Sequence, residues 1–340
     1  MDGKRAALAL GSGGARGYAH IGVIEELRDR GYDVVGVAGS SMGALVGGLH
    51  AVGRLDDFAD WAKALSQSAV LRLLDPAWRG PGVFRAEKVL DVVRELLGEA
   101  QIEDLTIPYT AVSTDLITGK SLWLQRGPLD TAIRASIAIP GMISPHIADG
   151  RVLVDGGILD PLPVGPLAAT NADVTIAVSL SAPDSDGSRF YRAESEPSAA
   201  TEWFNRLVRN TSALFDTPAA RSVLSRFAGA DDDEEEAEEK LQEAGVEDDD
   251  VATASAMVPK LGSFEVMNRS IDIMQAALAR HQMAAYPPDI LIEVPRSSSR
   301  SLDFHRAAEL IDIGHDLAVQ ALDSYEAERN SNTEPPRNDS

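Results

Sequence analysis

A serine lies between two glycines in Gly39-Ser40-Ser41-Met42-Gly43. The apolar run Val34-Val35-Gly36-Val37-Ala38 before it reads as a buried strand, and Ala44-Leu45-Val46-Gly47-Gly48-Leu49 after it reads as the start of a helix. A G-x-S-x-G between strand and helix forces a sharp turn and leaves the serine oxygen exposed at its apex. A Cβ at either glycine would collide with the adjoining strand or helix. Ser41 is the candidate nucleophile.

A second glycine cluster, Gly11-Ser12-Gly13-Gly14-Ala15-Arg16-Gly17, follows the short strand Ala6-Ala7-Leu8-Ala9-Leu10. It precedes a helix expected from about Tyr18 to Arg30, with Gly31 as its stop. Such a turn leaves backbone N–H groups bare and convergent, and the helix dipole adds positive potential there. The nest suits a phosphate or the oxyanion of a tetrahedral ester intermediate. A nucleotide P-loop would need Gly-Lys-Ser/Thr, which is absent, and the dinucleotide fingerprint would need a glycine where this chain has Arg16. Asp33 does stand at a suitable separation for a ribose contact, so an oxidoreductase is one alternative. Arg16 is expected either to act on substrate or to pair with a carboxylate near the nest.

The third segment is Arg151-Val152-Leu153-Val154-Asp155-Gly156-Gly157, an apolar strand ending in an acid and two glycines. Asp-Gly alone is a turn signal. Here it joins an exposed serine and a glycine nest, each at the C-terminal end of a strand, where open α/β sheets keep their chemistry. A serine hydroxyl is a feeble nucleophile until a base takes its proton. A carboxylate within reach serves if partial burial raises its pKa toward neutrality.

In order and type, these residues resemble the patatin-like phospholipases, particularly their small bacterial members. The resemblance rests on Gly13-Gly14-Ala15-Arg16-Gly17, on Gly39 to Gly43 and on Asp155-Gly156-Gly157. Flanking text agrees: Gly17-Tyr18-Ala19-His20-Ile21-Gly22-Val23, Ala135-Ser136-Ile137-Ala138-Ile139-Pro140-Gly141 and Leu302-Asp303-Phe304-His305-Arg306. It covers residues 5–182 closely and 259–322 more loosely. It implies an α/β fold of three layers, α/β/α, around a mostly parallel sheet. It further implies a Ser41–Asp155 dyad and an oxyanion hole from the amides of Gly13, Gly14 and Met42, with Gly11, Arg16, Gly17, Gly39, Gly43, Gly156 and Gly157 supporting them. The implied substrates are carboxylic esters of lipids, such as phospholipids or lysophospholipids, split through an acyl-enzyme with no metal or organic cofactor. Ser12 departs from the pattern, since many relatives carry glycine there; it would interfere only if its amide had to face the oxyanion.

An ordinary hydrolase triad would need a histidine after the acid. His281, His305 and His315 satisfy that order, but His305 and His315 fall in an amphipathic stretch with Phe304, Ala307, Leu310, Ile311 and Leu317, where a surface or capping role is usual. His20, His50 and His146 precede the acid and read as structural. A third alternative is a non-catalytic regulator that keeps the glycine loops and is indifferent to Ser41.

These groups must be held by a scaffold. Strand, helix, strand, helix run through residue 53, and a helical region from about Leu55 to Leu97 is broken near Asp75-Pro76 and Gly80-Pro81-Gly82. Strands near Tyr109–Ser113 and Ser121–Leu124 flank a Thr118-Gly119 turn, and a helix covers Leu129 to Ser136. Strands near Val152–Val154, Val174–Leu180 and Ile290–Val294 complete the pattern. Alternation of this kind implies a mostly parallel sheet covered on both faces. The expected organisation is a catalytic core at 1–182, a helical and acidic insertion at 183–258, the rest of the core at 259–325, and a disordered tail at 326–340.

The insertion repeats apolar residues at helical spacing, among them Trp203, Phe204, Leu207, Val208, Leu214 and Phe215. It reads as an amphipathic pair packed on the body, or as a lid offering an apolar face to acyl chains, with Arg206 and Arg209 near a phosphate headgroup. Of the net charge of -22, residues 231–250 carry -12, starting with Asp231-Asp232-Asp233-Glu234-Glu235-Glu236. Such a tract cannot pack and matches no EF-hand loop. A surface this acidic argues against nucleic acid and against electrostatic docking on anionic lipid. Contact with membranes or micelles is expected to be transient, and oligomeric state is not legible. Cysteine is absent, which fits the cytoplasm. Lys4-Arg5 before five apolar residues is too short for a signal peptide, and no run approaches the roughly 20 residues of a membrane span.

Overall fold

The computed structural model describes residues 4–73, 87–182 and 263–333. The chain divides into two units, one of Met1–Gly187 with Ser270–Ser340 and the other of Ser188–Arg269. The sheet and the site belong to the first. The second contributes only residues 263–269 to the described chain, as the first turns of a helix. The expected insertion at 183–258, with its acidic tract and lid, therefore lies outside the described residues.

Eight strands form one sheet: β1 (Lys4–Leu10), β2 (Tyr32–Ser40), β3 (Tyr109–Asp115), β4 (Lys120–Leu124), β5 (His146–Ala148), β6 (Arg151–Asp155), β7 (Val174–Ala182) and β8 (Ile290–Pro295). The strands β3, β2, β1, β7 and β8 lie side by side and parallel. Strands β4, β6 and β5 extend this sheet in antiparallel fashion from β3. The helices are α1 (Ala19–Asp29), α2 (Met42–Ala51), α3 (Leu55–Lys63), α4 (Gln67–Leu73), α5 (Glu87–Leu97), α6 (Leu129–Ser136), α7 (Ser263–Ala285) and α8 (Ala307–Thr333).

The alternation of side chains along β1 shows how the layers form. Leu8 and Leu10 point into the large core shared with α1, α2, α3, α6 and α8, whereas Ala7 and Ala9 face a thinner layer made by Leu162, Val164, Leu167 and Ala279 of α7. Every residue of β1 from Ala6 to Leu10 is buried, as parallel strands sandwiched between helices must be. The architecture is three-layer α/β/α.

Two elements depart from the sequence reading. Strand β5 pairs antiparallel with β6 over three residues, too short to show an alternation. The tail expected to be disordered from 326 instead continues α8 as helix through Thr333. Its polar composition misleads because Glu326 is anchored to the starts of β1 and β2, accepting from Lys4 Nζ and, at 3.1 Å, from the Tyr32 hydroxyl. Arg30 adds an ion pair to Asp323 at 2.8 Å. Among the described residues, no helix is long and apolar enough to cross a membrane.

Candidate active site

Strand β3 brings the serine and the acid together. Val112 pairs with Ser40 of β2 on one side and Trp123 of β4 on the other, while Thr114 pairs with Val154 of β6 and Ser121 of β4. With β4 occupying one edge throughout, β2 and β6 must share the opposite edge in succession. They run toward each other and end tip to tip, Ser40 opposite Val112 and Asp155 opposite Ser113. Ser41 leaves β2 at the point where Asp155 ends β6.

Ser41 is held at φ 57° and ψ -123°, in the left-handed half of conformational space where a serine is strained. Its carbonyl starts α2 by accepting from Ala44 N at 3.0 Å and Leu45 N at 3.1 Å. The turn is tight enough that a Cβ on Gly43 would lie 2.1 Å from the Leu10 carbonyl oxygen, which only glycine avoids. The Ser41 amide donates to Ser136 Oγ at 3.0 Å, and Ser136 Oγ donates to the Val112 carbonyl at 2.6 Å. Ser40 Oγ donates to the Asp160 carbonyl at 2.5 Å.

Asp155 is buried. Its Oδ1 accepts from Gly157 N at 2.8 Å, and Oδ2 has no hydrogen-bond partner. Burial pushes its carboxyl up to about 6, held back by the Ser41 hydroxyl and the Gly157 amide. The Ser41 hydroxyl is therefore close, without completing a hydrogen bond to Oδ2. Such contacts tighten when substrate binds.

The glycine loop is tied down by bonds that leave two amides over. Gly11 N donates to Val178 O at 3.0 Å, Ser12 N to Pro161 O at 2.8 Å and Ala15 N to Ser301 O at 3.0 Å, whereas the amides of Gly13 and Gly14 serve none of these. Because the Ser12 amide is already engaged, the departure at that position does not face the nest. Gly14 has φ +58°, and a Cβ there would meet Ser301 O at 2.6 Å. His20, fully buried, bonds through Nε2 to the Gly11 carbonyl at 2.9 Å; burial lowers its pKa to about 4, so it stays neutral. Arg16 takes the structural part of its two readings. Buried, it donates to Asp272 Oδ1 at 3.0 Å and to Ser299 O at 3.3 Å, stapling the loop to α7 and to the 299–301 segment.

Beside Ser41 lies a pocket of about 110 Å³. Met42, Leu45, Phe58, Trp61, Ile139 and Met142 form much of its wall, and Gly14 and Ser301 also line it. Tyr18 also lines it, its ring 6.2 Å from that of Phe58 and 6.1 Å from that of Phe304. Among the described residues, no charged side chain and no histidine is in this lining. A pocket of this character favours an alkyl chain.

The alternatives meet obstacles in the same geometry. Asp33 pairs with Arg5, while the nest follows Leu10, which pairs with Gly39. Asp33 thus lies at the far end of β1 and β2 from the nest, about 17 Å along the strands, out of reach of a ribose held there. His315 Nε2 sits 3.1 Å from Glu26 Oε2 between α1 and α8, and His281 is exposed on α7. Among the described residues, neither Ser41 nor Asp155 has a histidine partner.

Sequence reasoning passed over Ser136 and Ser301. Ser136 lies inside a segment that was singled out, and a serine among apolar residues at the end of a helix was its only signal. Ser301 had none.

A family model described as patatin-like phospholipase matches residues 8–168. An NTE family protein of Mycobacterium tuberculosis, itself uncharacterized, is 60% identical over 336 residues, 95% of this chain and 92% of that protein. Patatin-like phospholipase domain-containing protein 6 of Homo sapiens is 32% identical over 191 residues, 54% of this chain but 14% of the human protein. Lysophospholipase nte1 of Emericella nidulans is 30% identical over 199 residues, 56% of this chain and 13% of the fungal protein.

Proposed function

The chain belongs to the patatin-like phospholipase family, and on that footing we propose that it is a serine acyl hydrolase cleaving carboxylic esters of lipids through Ser41 and Asp155. The observation that carries this reading is the meeting of two strand ends. A strained serine and a buried carboxyl with a pKa near 6 stand beside an apolar pocket and two amides, those of Gly13 and Gly14, that are unengaged among the described residues.

In the proposed first step Asp155 accepts the Ser41 proton as Oγ attacks the ester carbonyl. The oxyanion is taken by the amides of Gly13, Gly14 and Met42; one such donor typically contributes about 3–4 kcal/mol. Collapse of the tetrahedral species breaks the ester C–O bond, and Asp155 returns the proton to the departing alcohol. A water then gives its proton to Asp155 and attacks the acyl carbonyl, releasing the fatty acid and restoring Ser41. The apolar wall receives the acyl chain, and apart from the attacking water each acting group in the proposed steps belongs to this chain. The family and the relatives named lysophospholipase and phospholipase favour phospholipid or lysophospholipid esters, with contact at a lipid surface rather than within it.

Labelling by a fluorophosphonate probe, with hydrolysis of a soluble nitrophenyl ester and of a lysophospholipid in parallel, tests the assignment. Wild type labels and turns over; Ser41→Ala does neither, and Asp155→Asn labels far more slowly. Labelling that persists in Ser41→Ala removes Ser41 as nucleophile.

A further inference from the structure

Among the described residues three tyrosines are buried, and two of them spend their hydroxyls within the fold. Tyr109 donates to the Ala44 carbonyl at 2.7 Å, and Tyr32 donates to Glu326 Oε1 at 3.1 Å. Tyr18 is the least exposed of the three, at 2%, yet its hydroxyl has no hydrogen-bond partner among the described residues. A buried tyrosine hydroxyl ordinarily finds one. Nor is this oxygen walled in, as the unpartnered Asp155 Oδ2 and His20 Nδ1 are. Tyr18 lines the pocket beside Ser41, so the surface that its hydroxyl keeps opens there.

Neighbouring rings fix where the hydroxyl stands. Phe58, at 6.2 Å, and Phe304, edge-on at 6.1 Å, grip the Tyr18 ring, and both line the same pocket. Behind it, Gly17 packs so closely on the residue after the nucleophile that a Cβ there would lie 2.3 Å from Met42 Cβ. A hydroxyl on a ring held this way is preorganised and does not swing to another acceptor. Burial raises its pKa further above the ordinary 10, so it stays a neutral phenol that both donates and accepts. The other polar side-chain atoms of the lining are the hydroxyls of Ser41 and Ser301 and the indole N–H of Trp61. Buried waters are usually held by about three hydrogen bonds. A water at Tyr18 would find few partners and be easily displaced.

We propose that the Tyr18 hydroxyl selects acyl chains that carry a neutral oxygen, as a hydroxyl or keto group, along their length. Either group satisfies the phenol. A plain alkyl chain lying over the same hydroxyl strips its water and returns nothing, which leaves a buried polar group unpaired. Such a site discriminates more sharply than an apolar wall, which tells chains apart only by size. A carboxylate substituent is disfavoured, because among the described residues the lining offers no cation to pair with it. The inference rests on the acyl-hydrolase reading for the origin of the chain, but binding of the chain is measured without catalysis.

The test is displacement of a fluorescent fatty acid from the full chain. The competitors are stearic acid and a set of hydroxystearic and oxostearic acids that differ in the position of the oxygen. At least one substituted acid is expected to bind about tenfold more tightly than stearic acid. Tyr18→Phe should erase that preference and tighten the binding of stearic acid severalfold, since the unpaired hydroxyl is gone. Its urea midpoint should equal or exceed that of wild type, because the hydroxyl bonds nothing in the fold. The proposal is overturned if no substituted acid is preferred over stearic acid, or if Tyr18→Phe keeps the preference. A destabilised Tyr18→Phe also overturns it, by showing that the hydroxyl serves the fold. A Tyr18-dependent preference in a wild type that hydrolyses no ester would instead count against the proposed function alone.

Discussion

Replacing Asp155 with asparagine should inactivate the protein and make it more stable. The carboxyl ordinarily titrates at 3.8 and is raised to about 6, first by burial. That gap corresponds to about 3 kcal/mol against the ionised form in the folded state. The folded protein holds this proton more tightly than the unfolded chain, so acid favours folding through this group. Its contribution is intact below about pH 4, is lost progressively as pH rises toward 6, and stays lost above. At pH 7 Asp155→Asn should therefore gain about 1–3 kcal/mol in urea denaturation, the lower figure allowing for the new amide N–H groups beside Ser41. Asparagine keeps the oxygen that accepts from Gly157 at 2.8 Å. At pH 4 the gain should shrink to near zero. Ester hydrolysis should fall by about 10²–10⁴-fold, the usual loss of a general base. In wild type, log kcat/KM should drop by about one for each pH unit below 6. Asp160 complicates the profile, because burial also raises its carboxyl to about 6, offset by Trp123 and Gln282. Asp160→Asn must keep the acid limb if Asp155 is the base. An acid limb that vanishes in Asp160→Asn, or an Asp155→Asn no more stable than wild type at pH 7, refutes the reasoning.

Other expectations concern the groups that hold the site. Ser136→Ala strands the Ser41 amide and the Val112 carbonyl; each orphaned buried group costs about 1–3 kcal/mol. Steady-state kinetics should show kcat down by about tenfold or more with KM little changed, and Ser136→Thr should recover part of it; equal effects on kcat in the two variants would exclude a role for the hydroxyl. Arg16→Ala leaves Asp272 without its partner and frees the 299–301 segment, for about 2–4 kcal/mol of lost stability and a slower enzyme. Arg16→Lys, unable to serve both acceptors at once, should recover little; a wild-type urea midpoint in Arg16→Lys would contradict the two-point staple.

Much of the scaffold was legible because its signals are local. The helix expected at Leu129 to Ser136 has those limits, and the strands around Tyr109, Val174 and Ile290 were marked by short stretches rich in apolar and β-branched residues. Strand β5 was hidden by its length, and the helical end of α8 by a polar composition that ion pairs to Lys4 and Arg30 override. At the site, Gly39 and Gly43 announced the turn because only the absence of a side chain lets the start of α2 lie so close to β2 at Gly39 and to β1 at Gly43. Ser136 and Ser301 could not be found the same way, since nothing in a serine's neighbours along the chain says which distant amide it meets.

The order of glycines, serine and acid along the chain determined which residues could form an elbow, a nest and a strand-end carboxylate, because those conformations depend on the presence or absence of a Cβ within a few residues. Only the tertiary structure decided that β2 and β6 share one edge of β3 and finish against each other. It also decided that Asp155 is sealed from water, which sets its pKa, and that Arg16 is spent on Asp272 rather than on a ligand. Desolvation and long-range pairing depend on what packs around a group from far away in the chain, and that is the part no local pattern encodes.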